Sequence, residues 1–183
     1  MRLKDNSNIE LIAYSAINKE EVRALYLTWL NDIDLVQAFG PFSMLYPKDN
    51  SFIDDSFIRF SSSETIGFFI YNRDTNSYLG TCKLDKISIA DRSVEIGIMI
   101  GSQAAQGQGT GKKAYALLLK YAFDVLGMNR VWGTCFSDNI GSQKLFESSK
   151  FTFEGTSRKA IYRKGLFIDN IHYSILKEEY YTK

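Results

Sequence analysis

Residues 93–125 read SVEIGIMIGSQAAQGQGTGKKAYALLLKYAFDV. In the first part Val94, Ile96, Ile98 and Ile100 alternate with Glu95, Gly97 and Met99. That period of two predicts a strand over 93–101 with one face in the core. Gly107, Gly109 and Gly111 follow within five positions. Then Ala114, Leu117, Leu118, Tyr121, Ala122 and Val125 recur at helical spacing and predict a helix over 110–126. A helix entered from such a loop presents unpaired backbone N–H groups and a partial positive charge, the combination that attracts phosphate. Glycines let the backbone approach a ligand without a Cβ in the way.

Working outward, IELIAYS (9–15) predicts a first strand, and Val22, Leu25, Tyr26, Trp29, Leu30 and Ile33 one face of a helix over 19–31. A loop holding both prolines, Pro41 and Pro47, leads to a second short helix over 51–60, with Ser51 as its N-cap and Asp54 three residues on. TIGFFIYN (65–72) and YLGTCKLDKIS (78–88) predict strands around a turn. After the long helix come a strand at 130–136, a helix over 137–149 capped by Ser137, Asp138 or Asn139, and a hairpin of 151–163 and 166–176 turning at Lys164-Gly165. Seven strands and about four helices in this order imply a mixed α/β fold. Its sheet is mostly antiparallel, with one parallel junction where strand 93–101 crosses over to strand 130–136.

The chain has 183 residues, 45% of them hydrophobic, with a formal net charge of +1. That length and the absence of a linker-like stretch predict a single domain over 1–183. The charge gives no reason to expect nucleic acid as a partner. Cys82 and Cys135, each in an apolar strand-like run, read as buried reduced thiols rather than a disulfide or metal site. No run reaches membrane-spanning length and no signal peptide is evident, so a soluble, cytoplasmic protein is expected.

Three phosphate loops compete for the glycines. A Walker loop fails because Gln106 stands where its first glycine belongs and Lys113 where its Ser or Thr belongs. A dinucleotide fingerprint fails because Gly111 comes one place early. Gln106-Gly107-Gln108-Gly109-Thr110-Gly111 fits Q/R-x-x-G-x-G/A. Here the sequence resembles the GNAT N-acetyltransferase superfamily, whose loop cradles the pyrophosphate of acetyl-CoA. VEIGIMIG resembles that family's fourth strand, and NIGSQKLFESSKFTFEGTSR its segment after strand five. GLFID (165–169), the closing YSILKEEY and LYLTWLND (25–32) resemble the branch of ribosomal-protein N-terminal (RimJ/RimL-like) acetyltransferases. The resemblance implies a GNAT-like sheet splayed between its fourth and fifth strands. Lys150-Phe151 replaces the family's usual Gly-Phe, and Phe146 stands where the family often carries a proton-donating tyrosine.

What the resemblance implies for chemistry is acetyl transfer from acetyl-CoA to a primary amine by direct attack, with no metal. The amides of Gln108, Gly109, Thr110, Gly111 and Lys112 would hold the pyrophosphate, within a loop that also includes Gln106 and Gly107. Backbone groups of Ile98, Met99 and Ile100 would pair with the pantetheine arm, one N–H polarising the thioester. Glu95, on the strand face opposite Val94, is the candidate base, directly or through water; a structural ion pair is its other reading. Asn139 would bond the pantetheine, cap its helix, or both. Ser142 would reach the sulfur or simply pack. His172, the lone histidine, is a weaker candidate base, and Asp169 reads as structural or substrate-facing. The acceptor would meet Phe39, Phe42, Tyr46, Arg163 and Lys164. It would be a protein N-terminal amine or a small amine such as an amino sugar, aminoglycoside or polyamine. A non-catalytic acyl-CoA-binding module and a merely structural glycine loop are the rival readings. A monomer or homodimer is expected.

Overall fold

The computed structural model describes residues 1–37, 46–163 and 165–182. Phe39, Phe42 and Lys164 of the expected acceptor region lie outside these residues. The described strands are β1 (Arg2–Lys4), β2 (Ile9–Ala13), β3 (Ile66–Asn72), β4 (Ser77–Ser88), β5 (Ser93–Ile100), β6 (Arg130–Phe136), β7 (Thr152–Arg163) and β8 (Leu166–Leu176). The described helices are α1 (Lys19–Asn31), α2 (Ile33–Val36), α3 (Asn50–Arg59), α4 (Thr110–Lys120), α5 (Ile140–Ser148) and α6 (Lys177–Thr182).

The strands form one sheet in the order β1-β2-β3-β4-β5-β6-β8-β7. Every neighbouring pair is antiparallel except β5 and β6, as the crossover through α4 requires. The sheet has eight strands rather than seven. The additional one, β1, has three residues and a mostly exposed pattern, too short for alternation to reveal. Among the described residues there are six helices rather than four. The four-residue α2 and six-residue α6 are shorter than the window in which helical periodicity shows.

Alternation along the strands sorts two cores. On one face Leu11, Phe68, Leu84, Val94 and Ile96 pack with Ala114, Leu117 and Leu118 of α4 and Phe146 of α5. On the other, Phe69 and Met99 meet Tyr14, Val22, Tyr26 and Trp29 of the α1 side and Ile53 of α3. The expected α1 face is only partly inward, since Leu25 and Ile33 are exposed. Cys82 and Cys135 are buried free thiols. The α3 cap is Asp49, whose side chain accepts from Phe52 N–H at 3.1 Å, and not Ser51, which lies inside the helix. After Lys120 the long helix widens into π-type turns over Tyr121–Val125, closed by Leu126 N–H to the Tyr121 carbonyl.

One feature of this sheet governs the rest. β5 and β6 are paired only at Ser93–Arg130, Val94–Val131 and Glu95–Trp132. Beyond Glu95 the strands part, while β6 stays joined to β8 as far as Phe136. The divergence sits on a close contact. A Cβ on Gly133 would lie 2.7 Å from Phe146 Cζ and 3.1 Å from the Ile96 carbonyl oxygen. Phe146 is buried, stacked on Tyr173 at 4.9 Å, and has no room to retreat. We expect Gly133→Ala to destabilise the protein by about 1–3 kcal/mol through overpacking. Urea unfolding would read this as a lower midpoint at unchanged slope.

Candidate functional site

Two observations fix which way the free edge of β5 points. The Ile96 carbonyl oxygen lies toward Gly133 of β6. The Ile100 carbonyl accepts from Gln106 Nε2 at 3.1 Å, from the loop rather than from β4. Backbone direction alternates along a strand, so the N–H and C=O of Ile98 face the same way, into the gap. Met99 lies opposite Thr81, and the same alternation turns its backbone groups toward β4. Ile98 and Ile100 therefore offer the gap their backbone, while Met99 contributes its side chain to the α1-side core.

The glycine loop caps this gap. After a single turn of 3-10 helix at Gln103–Ala105, Gly107 and Gly109 adopt φ of 72° and 77°. Only glycine takes that conformation without cost, and nothing lies within 4 Å of where a Cβ would point at either position. The first bond into α4 runs from Lys113 N–H to the Gly109 carbonyl at 3.1 Å. The amides of Thr110, Gly111 and Lys112 come before it and make no bond of that ladder. Gly111 seats the helix start on the strand, since a Cβ there would touch Leu145 of α5 at 3.2 Å and Ile98 of β5 at 3.7 Å. The lysines divide. Lys113 Nζ donates to Asn8 Oδ1 at 2.9 Å, whereas the Lys112 side chain is exposed.

Asn139 is the cap of α5 among the three expected candidates, its side chain accepting from Ser142 N–H at 3.1 Å. Ser142 is half-buried in the first turn of that helix. Glu95 lies on the opposite sheet face from Val94, about a fifth exposed, and its carboxylate meets Lys86 Nζ at 2.8 Å. Lys86 Nζ also lies 5.1 Å from the centre of the Trp132 ring. His172 is engaged with Ser157 Oγ at 2.8 Å and stands opposite Thr134 in the ladder, four residues of β6 beyond Arg130. Asp169 holds the hairpin, accepting from Lys159 N–H at 2.8 Å.

Beside the gap, Asp34, Gln37, Asp138, Asn139, Ile140, Gly141 and Arg163 line a cleft of about 400 Å³. Arg163, nine-tenths buried, pairs with Asp138 at 2.8 Å and lies over the Phe136 ring at 5.1 Å. That the carboxylates Asp34 and Asp138 share one cleft is not readable from the sequence, where they are far apart and Asp138 is only a candidate helix cap. Gly133 did leave a signal, an isolated glycine inside a strand pattern, which often marks a close backbone approach. Tyr46, an expected acceptor contact, is exposed and carries Lys48 Nζ 3.6 Å above its ring.

The gap, the glycine loop and the capped α5 lie together at the end of β5. The acetyltransferase (GNAT) domain family matches residues 13–152. The chain belongs to that family. It is 34% identical over 113 residues to the uncharacterized N-acetyltransferase p20 of Bacillus licheniformis, a span of 62% of this chain and 63% of that one. It is 26% identical to the uncharacterized N-acetyltransferase YoaA of Bacillus subtilis (strain 168), over 88% of this chain and 90% of that one. It is 33% identical, over 57% of this chain and 56% of that one, to YdaF of the same organism, whose name assigns it provisionally to ribosomal N-acetylation. The chain thus spans less than two thirds of p20 and YdaF. The fold is that of the spermidine N-acetyltransferase from Vibrio cholerae solved with CoA and spermine, with a TM-score of 0.82 at 19% identity, covering 96% of this chain and 99% of that one.

A buried carboxylate underpins the β4 side of the site. Burial pushes the Asp85 carboxyl up, but hydrogen bonds from Lys83 and Thr65, together with the Lys83 charge, outweigh it and hold it at about 2. Thr65 Oγ1 donates at 2.6 Å and the Lys86 amide at 3.0 Å. A depressed carboxylate contributes stability that is complete above its unfolded value of 3.8 and lost as pH falls through about 2. We expect Asp85→Asn to flatten the stability profile in this window, read by urea midpoints at successive pH values.

Proposed function

We propose that the chain is an acetyl-CoA-dependent N-acetyltransferase acting on a primary amine by direct attack in a ternary complex. One observation carries this reading. The same strand, β5, ends in a free backbone edge and in a loop whose helix-start amides have no partner in the helix ladder. An extended pantetheine arm needs the first and a pyrophosphate the second.

In this reading the amides from Gln108 to Lys112 hold the pyrophosphate, and Gly107 and Gly109 keep Cβ atoms away from it. Gln106 fixes the loop to the strand end through Ile100. Ile98 and Ile100 pair with the arm, and the Ile98 N–H polarises the thioester oxygen. A donor so placed is worth about 3 kcal/mol at the transition state. Asn139 orients the first turn of α5, and Ser142 lies there to meet the sulfur. Glu95 accepts the proton that the acceptor ammonium must lose. Phe146 has no proton to give, so the thiolate leaves on its own basicity, about 8.5 for an ordinary thiol.

For the acceptor we propose a protein N-terminal amine, supported by the likeness to YdaF and by the tail motifs at 165–180. A polyamine is the second reading. Asp34 in the cleft favours it, and the Vibrio cholerae enzyme of the same fold was solved with spermine. The protein acts as one domain in the cytoplasm in both readings, as monomer or homodimer.

Calorimetric titration with acetyl-CoA tests the donor site, and thiol release against N-terminal peptides and polyamines then tests turnover and acceptor. We expect binding in the wild type and its loss in Gly109→Trp, which puts an indole and a strained φ into the loop. Binding that survives this change overturns the loop assignment. Glu95→Gln is expected to leave binding intact and to lower turnover by about 10²–10⁴. Binding without thiol release for any amine would instead identify a non-catalytic acyl-CoA module.

A further inference from the structure

Lys86 follows Asp85 where β4 slips out of register with β5, and its φ is 51°. A lysine at positive φ is uncommon, and here the strain is held by the Asp85 carboxylate accepting the Lys86 amide at 3.0 Å. The result is a side chain laid across β5. Its Nζ stands 2.8 Å from the Glu95 carboxylate and 5.1 Å from the centre of the Trp132 ring. Glu95 and Trp132 are the last pair joined before the gap opens. A carboxylate beside an indole face is a receptor for an ammonium ion. An incoming primary amine arrives as an ammonium and needs those same contacts.

We infer that Lys86 is an in-chain acceptor: supplied with acetyl-CoA, the protein acetylates its own Lys86. This rests on acetyl-CoA as donor and on Glu95 as base. The Lys86 side chain is 64% exposed. Ile98, whose N–H is the proposed thioester donor, is three residues beyond Glu95, roughly 10 Å along the strand, the span over which the lysine side chain must swing. Lys83 is the natural contrast. It lies over Gly97, with Cε 3.1 Å from the position of a Cβ there, but its ammonium is held by Asp85 and not by the candidate base.

In the step, Glu95 takes one proton from the Lys86 ammonium. The Nζ lone pair attacks the acetyl carbonyl carbon, the N–C bond forms, and the C–S bond breaks with its electron pair leaving on sulfur. The second Nζ proton ends on the thiolate, and the proton on Glu95 passes to water. One ammonium and one thioester give one amide, one thiol and one proton. The acetylated lysine has no charge, so Glu95 is released to external amines.

The test is site-resolved peptide mass spectrometry of the full chain after incubation with acetyl-CoA. We expect acetylation of Lys86 to outpace that of Lys83, Lys112 and Lys113 at least about tenfold, and its rate constant to be independent of protein concentration, as an intramolecular reaction requires. Glu95→Gln should slow it toward the loss expected for a general base, on the order of 10²–10⁴, without abolishing acetyl-CoA binding. If acetyl-CoA binds and Lys86 reacts no faster than Lys112, the inference is wrong. Undiminished marking in Gly109→Trp would mean unassisted chemistry and also overturn it. The underlying readings fail differently: no binding removes the donor, whereas rapid Lys86 acetylation that ignores Glu95→Gln removes only the base.

Discussion

The parting of β5 from β6 after Glu95 is the constraint on which the rest of the molecule depends. A parallel strand pair would ordinarily continue, because unpaired backbone groups in a half-buried sheet are costly. Here three paired positions are followed by five residues of β5 with no β6 partner. The cost is tolerated because both strands are committed elsewhere. β6 is held along its whole length by β8, and β5 by β4 from Glu95 to Ile100. Below the gap, α4 and α5 wedge against each other through Gly111 and Leu145, and Phe146 presses on Gly133. The free edge is thus built into the core packing rather than left over from it.

The charged residues on the β4 side extend the same logic. Asp85 is a buried acid satisfied by Thr65, Lys83 and the Lys86 amide, with Arg59 at 3.3 Å. Breaking such a set leaves a buried charge without compensation, which costs more than the set gains by forming. Its structural consequence is local. It fixes the irregular turn of β4, the turn sets the direction of Lys86, and Lys86 reaches Glu95. A carboxylate at the edge of the gap is therefore tied through one side chain to the buried polar centre of the neighbouring strand.

Much of this was legible in the sequence, for reasons that differ by element. The strand at 93–100 and the helix from Thr110 show their periods over enough residues to be unambiguous, and α1 and β6 fall at the expected bounds. The loop was legible because only glycine takes φ near 75° freely, so Gly107 and Gly109 announce the conformation they adopt. What escaped was either too short or not local. β1 and α2 are shorter than one reading window. The Asp49 cap was hidden by a serine two places later that fits the same rule. The Asp34, Asp138 and Arg163 cleft joins residues from two elements and a turn far apart in the chain, which no spacing reports. Lys86 was invisible for another reason. Its position follows from a register slip, and a slip is a property of two strands.

Phe146 shows how one substitution is read differently once the packing is known. In the sequence it is a missing hydroxyl, a proton donor lost from the expected place. In the structure its ring lies nearly parallel to Tyr173, at 10°, and touches Tyr115 and Phe151. Its Cζ is the atom that a Cβ on Gly133, at the root of the gap, would meet first. A hydroxyl on that atom would need room where Gly133 and the Ile96 carbonyl already crowd. The phenyl ring is therefore a wedge fitted to a glycine. If the proposed transfer runs here, the sulfur leaves without help from this side, and catalysis rests on polarising the carbonyl and freeing the amine. Those tasks fall to the β5 backbone and to Glu95, whose spacing is set by the strand and is unaffected by what stands at position 146.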